Sequence, residues 1–422
     1  MSWTEQLAVV VTLWCACAAA TETTLAPGAP LQNAVNSAAA GDVLVLKGGQ
    51  YQGPVCVSVA NLTIQSAAGE MAHITCPVKG ASAACITTTH GGKGLILRRL
   101  EVSGGAMHAV DINATDCRVE GCKLHDSGAD CLKCSPGAHK LEVLGCEIYA
   151  SGQDQGWNAN AEGIDNVRGD NMHVADCFIH DIATNGIYAK GGARGLLVER
   201  CLFMRIGFNK DVLGSGVVAG EHAGGTVEYE SYDATVRNCI FKDIRGAAMA
   251  AWCAKNARFY NNTCLNVATH DRAGFMIIEN HNRPSKDVLF VNNILVVGSK
   301  RNLVWIYPKG LEGTLVMDHN IYFGGNGKFE DGRSGWSGSL EQWQKKLGVD
   351  AHSLYDDPKS DATGHLADGS PAIDKAQSVE GLTDDYDGGK REGAFDIGAD
   401  EFKAGEPLQV PPPAGTVGTG RK

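Results

Sequence analysis

CRVEGCKLHDSG (117–128) decides the fold, because its pattern returns four times. The returns are LEVLGCEIYASG (141–152), MHVADCFIHDIA (172–183), LLVERCLFMRIG (196–207) and ATVRNCIFKDIR (234–245). Weaker copies follow at ARFYNNTCLNVA (257–268), VLFVNNILVVGS (288–299) and TLVMDHNIYFGG (314–325), and LILRRLEVSGG (95–105) precedes them. Aligned, they share one central column: Leu100, Cys122, Cys146, Cys177, Cys201, Cys239, Asn262, Asn293 and His319. The intervals are 22, 24, 31, 24, 38, 23, 31 and 26 residues. An apolar residue stands three positions before each member, from Leu97 and Val119 to Phe290 and Val316, and another two positions after, including Leu124, Ile148, Phe203 and Ile321.

A period of this size marks supersecondary units that bury a core only by stacking. Short β-branched and aromatic runs, broken by Gly, Asn and Asp, make each unit strands rather than helices. The shortest interval fits one turn of a parallel β-helix, and the longer ones add a loop. The expected fold is therefore all-β, a right-handed parallel β-helix. With 44% hydrophobic content but only 7% aromatic, and 53 glycines in 422 residues, the composition suits a tightly wound solenoid.

The five cysteines of the column read as small buried hydrophobes, stacked at the coil spacing of about 4.8 Å. Cys131 and Cys134 form a C-x-x-C, but i and i+3 on a strand face opposite ways, which argues against a metal or redox pair. Cys76 with Cys85 is the expected disulfide. The sequons at Asn61, Asn113 and Asn261 read as structural asparagines at bends.

A net charge of −11 without a basic cluster argues against nucleic acid as a partner. LAVVVTLWCACAAA (7–20) is an apolar run ending in small residues and reads as a secretory signal, although the residues before it carry Glu5 and no Lys or Arg. No other segment is apolar for long enough to span a bilayer. The expected organisation is a signal over 1–20, a β-helix with an N-terminal cap over 21–325, a C-terminal capping module over 326–403 and a disordered tail over 404–422. The protein is expected to be secreted and monomeric.

APLQNAVNSAAAGDVLVLKGGQYQG (29–53) reads as an amphipathic helix, a Gly-Asp turn and a strand, which would cover the open first coil. Helix followed by GD-x-[VL]-x-L-x-x-G-x-Y resembles the start of many secreted proteins of the pectate-lyase-like superfamily. SGSLEQWQKKLGVDAHSLYDDP (337–358), GSPAIDKA (369–376) and REGAFDIGADEF (391–402) resemble the closing module of its bacterial members. The resemblance spans about residues 29 to 402. It implies a carbohydrate-active protein, in a group that holds lyases, hydrolases, epimerases and binding proteins.

After each column segment comes a second strand, such as Ile164-Asp165-Asn166, Ile187-Tyr188-Ala189-Lys190 or Val304-Trp305-Ile306-Tyr307. If Ile164, Ile187, Val217 and Phe275 point inward, alternation sends Asp165, Tyr188, Lys190, Trp252, Trp305 and Tyr307 outward, with Glu221 and Glu279 at strand ends. The extra residues enter around this strand (149–162, 204–215, 221–234 and 265–273), so the loops wall a groove. Trp252, Trp305 and Tyr307 are candidate stacking surfaces for sugar rings.

Lys190, between Val167 and Gly220 on neighbouring coils, is the candidate general base, in surroundings that lower a lysine pKa. Tyr188 shares its face. In the superfamily's lyases a Lys or Arg takes the C5 proton of a uronic acid while a cation neutralises the carboxylate. Arg168, Arg194 and His222 are the candidates for that second role. Asp154, Glu162, Asp165 and Asp170 offer hard oxygen ligands for Ca²⁺. Asp165 with Glu221 is the alternative acid and base of a hydrolase. The leading reading is a polysaccharide lyase acting by β-elimination on an acidic polymer. A glycoside hydrolase and a non-catalytic carbohydrate-binding protein are the alternatives.

Overall fold

The structure is a computed structural model that describes residues 20–80, 82–153, 160–208, 214–221, 227–298 and 300–403. The signal-like segment and the tail lie outside the described residues. Within them the chain winds as a solenoid with three parallel sheets running its length. The first sheet carries the residues just before the column, the third those just after it, and the second the strands expected to line the groove. In the first sheet Leu97 stacks on Val119, Val119 on Val143 and Val143 on Val174, continuing to Phe259 and Phe290. In the third, Leu124 stacks on Ile148, Ile148 on Ile179 and Phe203 on Phe241. These side chains, with Ile164, Ile187, Val217 and Phe275 from the second sheet, form one continuous buried core. Alternation does the rest: what is not in this core faces outward.

The column sits at the bend between the first and third sheets. Cys146 N–H donates to Cys177 Sγ at 3.4 Å, and Cys177 N–H to Cys201 Sγ at 3.5 Å. Each thiol also donates to carbonyls, as Cys177 does to Val143 O (3.4 Å) and Ala175 O (3.2 Å). From Cys239 onward asparagine takes over: Cys239 N–H donates to Asn262 Oδ1 at 3.0 Å and Asn262 N–H to Asn293 Oδ1 at 3.1 Å. The thiols are thus buried but not merely apolar fillers. They satisfy bend amides and carbonyls that the sheets leave over.

The column ends on Asn320, not on His319. Asn293 N–H donates to Asn320 Oδ1 at 2.9 Å, and Phe290 pairs with Met317. Met317 is buried, whereas Val316 is 40% exposed. Asp318-His319-Asn320 offers three polar candidates in a row, and only the amide can repeat both halves of the asparagine contact. Cys76 and Cys85 are free thiols sharing a hydrogen bond, not a disulfide. Cys131 and Cys134 are buried, free thiols as well. Asn261 is a buried bend residue at φ 51°, bonded to Asp396 O.

Helix α1 (Leu31–Ser37) buries Leu31 and Val35 against the first coils. At the other end, helix α2 (Leu340–Leu347) opens on a Ser339–Gln342 capping box and drives Trp343 against Phe329. Residues 358–402 do not continue over that end. They run back along the flank, where Leu366, Ala372 and Ile397 pack on Ile294 and Ile321, and Tyr386 on Ile240. Among the described residues no helix is long and apolar enough to cross a membrane.

Candidate active site

The outward face of the second sheet carries two adjacent columns of polar side chains. One holds Asp111, Lys133, Asp165 and Tyr188, in register on consecutive coils. The other lies three residues earlier on the same coils: His108, Asp130, Glu162 and Asn185. Their side chains therefore converge at about 4.8 Å per coil. Asp130, Glu162 and Asp165 are all buried, with ligand-capable atoms within 4.8 Å of one another.

Lys133 Nζ bonds Asp165 Oδ2 and lies 3.9 Å from Asp130 Oδ2. Lys190 Nζ stands 3.6 Å from Asp165 Oδ1 and 3.9 Å from the centre of the Tyr188 ring. Glu162 Oε1 accepts from Thr184 Oγ1 at 3.0 Å, and Asp130 Oδ1 from the Glu162 amide at 3.0 Å. Tyr188 donates to Asn160 Oδ1 at 2.7 Å, and Asn185 to Glu221 Oε2 at 3.1 Å.

Protonation divides this cluster. Burial, Asp130 and Glu221 push Glu162 well above the ordinary carboxyl range. Burial opposes ionisation of Asp130 too, but its hydrogen bonds with His108 and Glu162 outweigh it and hold that carboxyl at about 2. Burial pulls both Lys190 and Lys133 below the usual lysine range. Glu162, Glu221, Asp130 and Glu230 pull Lys190 back, so the cluster retains part of its affinity for the proton.

Two carboxylate oxygens here, Glu162 Oε2 and Asp165 Oδ1, are buried without a hydrogen-bond partner, and Asp130 Oδ2 beside them faces His108 Nδ1 at 3.3 Å. Orphaned buried acceptors are costly. Their convergence fits a hard cation with further oxygen ligands from water or substrate. Lys133 already supplies part of the positive charge.

The expected site residues divide accordingly. Tyr188, Lys190, Glu162, Asp165 and Glu221 come together. Asp170 lies apart, with Oδ1 accepting from the Arg194 amide at 3.0 Å and Oδ2 3.5 Å from His139. The Arg194 guanidinium stacks over Tyr232 at 3.9 Å, outside the cluster. Arg168 is an exposed bend residue at φ 63°. Glu279 bonds the Asn282 amide. His222 and Asp154 lie outside the described residues.

Farther along the same face Trp305, Met276, Ile278 and Ala250 form a second apolar cluster, with Trp252 and Tyr307 at its margin. Trp305 is only 6% exposed, covered by Tyr307 edge-on at 5.1 Å and by the Arg272 guanidinium at 4.6 Å. It is a packing residue, and the accessible ring surface belongs to Trp252 and Tyr307.

Asp130, Lys133 and His108 went unread. The stretch ADCLKC (129–134) stands out for its cysteines, whereas the polar residues of the cluster are Asp130 before Cys131 and Lys133 between the two. The signal was positional. Asp130, Glu162 and Asn185 each stand two residues before an inward Leu132, Ile164 or Ile187.

A family model described as "Right handed beta helix region" matches residues 53–227. The fold is a right-handed parallel β-helix. No curated protein matches the sequence of this β-helix. Among solved structures it is similar to pectate lyase Pel9A at 13% identity and a TM-score of 0.58, over 91% of this chain and 96% of that one. It is also similar to XylC in complex with xylose, at 12% identity and a TM-score of 0.60, over 90% and 98%. A third is PfbA, a surface adhesin of Streptococcus pneumoniae, at 9% identity and a TM-score of 0.53, over 71% and 87%. At these identities the likeness is one of fold.

Proposed function

We propose that this β-helix is a secreted carbohydrate-active enzyme, a polysaccharide lyase that cleaves a uronic-acid polymer by β-elimination. The observation that carries it is Lys190: a buried lysine, depressed by desolvation, over Tyr188 and beside three converging carboxylates. A neutral Lys190 amine can take the C5 proton of a uronate. The C4–O bond then breaks, its electrons leave with the oxygen, and a C4=C5 double bond remains. The departing oxygen takes a proton from solvent.

Asp130, Glu162 and Asp165 would hold a cation such as Ca²⁺, which supplies charge neutralisation of the substrate carboxylate. Lys133 contributes to the same neutralisation and keeps Asp165 in place. Tyr188 walls the lysine and orients it through its ring face. Trp252 and Tyr307 extend the site as sugar-stacking surfaces. That a pectate lyase is among the structural neighbours is compatible with this reading.

One observation favours a second reading. Glu162 holds its proton more tightly than Asp130 beside it, the ordering of acid and base that glycoside hydrolases use. The test is purified protein on a panel of polyuronates and neutral polysaccharides, followed by ultraviolet absorbance of the new double bond and by reducing ends. Lyase action gives both signals on a polyuronate. Reducing ends without absorbance would establish hydrolysis instead, and saturable binding without turnover would reduce the protein to a binding module.

A further inference from the structure

The outer face of the third sheet carries another polar cluster, away from the groove. His73 and Glu101 are register partners on adjacent coils, and His125 lies on the next coil, opposite Ser103. Each imidazole has one ring nitrogen hydrogen-bonded to a neighbour and the other turned toward Glu101. Ser103 Oγ lies 2.7 Å from His73 Nε2 and 3.2 Å from Thr75 Oγ1, so it can accept from His73 while it donates to Thr75. In that arrangement the His73 proton is on Nε2 and its lone pair on Nδ1. His125 Nδ1 lies 2.7 Å from Asp126 Oδ2, which puts its proton there and its lone pair on Nε2. Both lone pairs face the same carboxylate oxygen: Nδ1 of His73 at 3.8 Å and Nε2 of His125 at 3.2 Å from Glu101 Oε1. Three electron-rich atoms facing one another repel unless a positive charge lies between them.

The solenoid repeats the arrangement two coils later, with one change. Lys123, Glu147 and His180 stand at the same register positions, and Asp181 holds His180 Nδ1 at 2.6 Å as Asp126 holds His125. In this copy Lys123 Nζ, 3.0 Å from Glu147 Oε2, supplies the positive charge. In the first copy His73 occupies the lysine's place and brings a lone pair instead.

We propose that His73 Nδ1, Glu101 and His125 Nε2 bind a divalent transition-metal ion of the Zn²⁺ class. Tetrahedral coordination at about 2.1 Å separates donor atoms by roughly 3.4 Å, which the two measured distances bracket. Two imidazoles and one carboxylate select Zn²⁺, Co²⁺, Ni²⁺ or Cu²⁺ over Ca²⁺ and Mg²⁺. Ser103 and Asp126 are the outer hydrogen-bond partners that such ligands require. The His73 and Glu101 side chains are 24% and 29% exposed, so the ion has an entry path and a fourth position open to water. The stacked Tyr149 ring, 4.6 Å from that of His125, stiffens the ligand from the other side. This assignment is independent of the lyase reading.

The test is calorimetric titration of chelator-treated full-length protein with Zn²⁺ alone at neutral pH. His125→Ala should abolish one site or weaken it more than about 100-fold, and Asp126→Asn should weaken it about 10- to 100-fold. His73→Lys copies the second trio, so it should keep the wild-type melting temperature and still lose that site. Co²⁺ in the wild type should give the intense visible bands of four-coordination, absent from His73→Lys. His180→Ala should change neither result. Zinc held elsewhere on the chain cancels in the difference between wild type and variant. No Zn²⁺ binding by the wild type, or the same stoichiometry and affinity in folded His73→Lys, would overturn the proposal.

Discussion

Cys177 shows what a bend position asks of a side chain. It must accept from an amide on the coil before and donate to carbonyls at 3.2 and 3.4 Å. A hydroxyl can do both, so Cys177→Ser should stay within about 1 kcal/mol of wild type. Cys177→Val fills the space but leaves buried backbone groups bare and should cost about 1–3 kcal/mol. Urea unfolding of the two variants separates the roles, and equal losses would return the thiols to being apolar filler. Lys190 is the second residue whose surroundings decide its use. Lys190→Ala should lower turnover by about two to four orders of magnitude while the protein stays folded. Activity should rise with pH as the ammonium loses its proton, and this limb should lie below the free-lysine range because burial disfavours the charge. Glu221 opposes that shift, so Glu221→Gln should move the limb of the kcat/KM profile to still lower pH. A profile indifferent to both substitutions would exclude Lys190 as the base.

At the scale of elements, the second-sheet face is two surfaces in sequence, an ionic one from His108 to Lys190 and an apolar one from Val218 to Trp305. Periodicity was enough to say that both point outward, since inward Ile164, Ile187, Val217 and Phe275 leave no alternative phase. It could not say what lies on top of them. Trp305 is packed under Arg272 and Tyr307, so Trp305→Ala should destabilise by about 3–5 kcal/mol, the cost of emptying a buried aromatic site. Trp252 is half-buried at the margin, and Trp252→Ala should weaken polysaccharide affinity with a much smaller loss of stability. Binding isotherms beside unfolding curves for the pair check this, and the opposite pattern would place the sugar surface on Trp305.

For the whole molecule, the flank segment is latched to the coils through one buried carboxylate. Glu199 accepts from His173, Arg200 and Arg237, and Arg200 reaches across to Asp384 at 2.6 Å. Burial alone would raise the Glu199 pKa, but His173 and the two guanidiniums hold it at about 2. A depressed carboxyl stabilises the fold above its ordinary value of 4.5, and that contribution fades as pH falls toward 2. The stability gap between wild type and Glu199→Gln should therefore be about 2–3 kcal/mol at neutral pH and close between about pH 4.5 and 2. Unfolding free energies across that range test it, and a gap that does not change with pH would show that the latch is not electrostatic.

By itself the chain determined the solenoid, its core and the phase of its faces, because each coil repeats a local alternation that any neighbouring coil must match. It also sent Asp165, Tyr188 and Lys190 to the outward face of the second sheet, where they lie in register on neighbouring coils. Only the tertiary structure decided what stacking brings together. Asp130 and Glu162 are 32 residues apart in the chain yet neighbours at one coil spacing, and an insertion of variable length hides that register. The end of the column was ambiguous for the same reason, since Val316 and Met317 are equally apolar and only packing on Phe290 chooses Met317. Burial of Trp305 and the return of residues 358–402 along the flank depend on contacts between distant segments, for which a repeat pattern carries no signal.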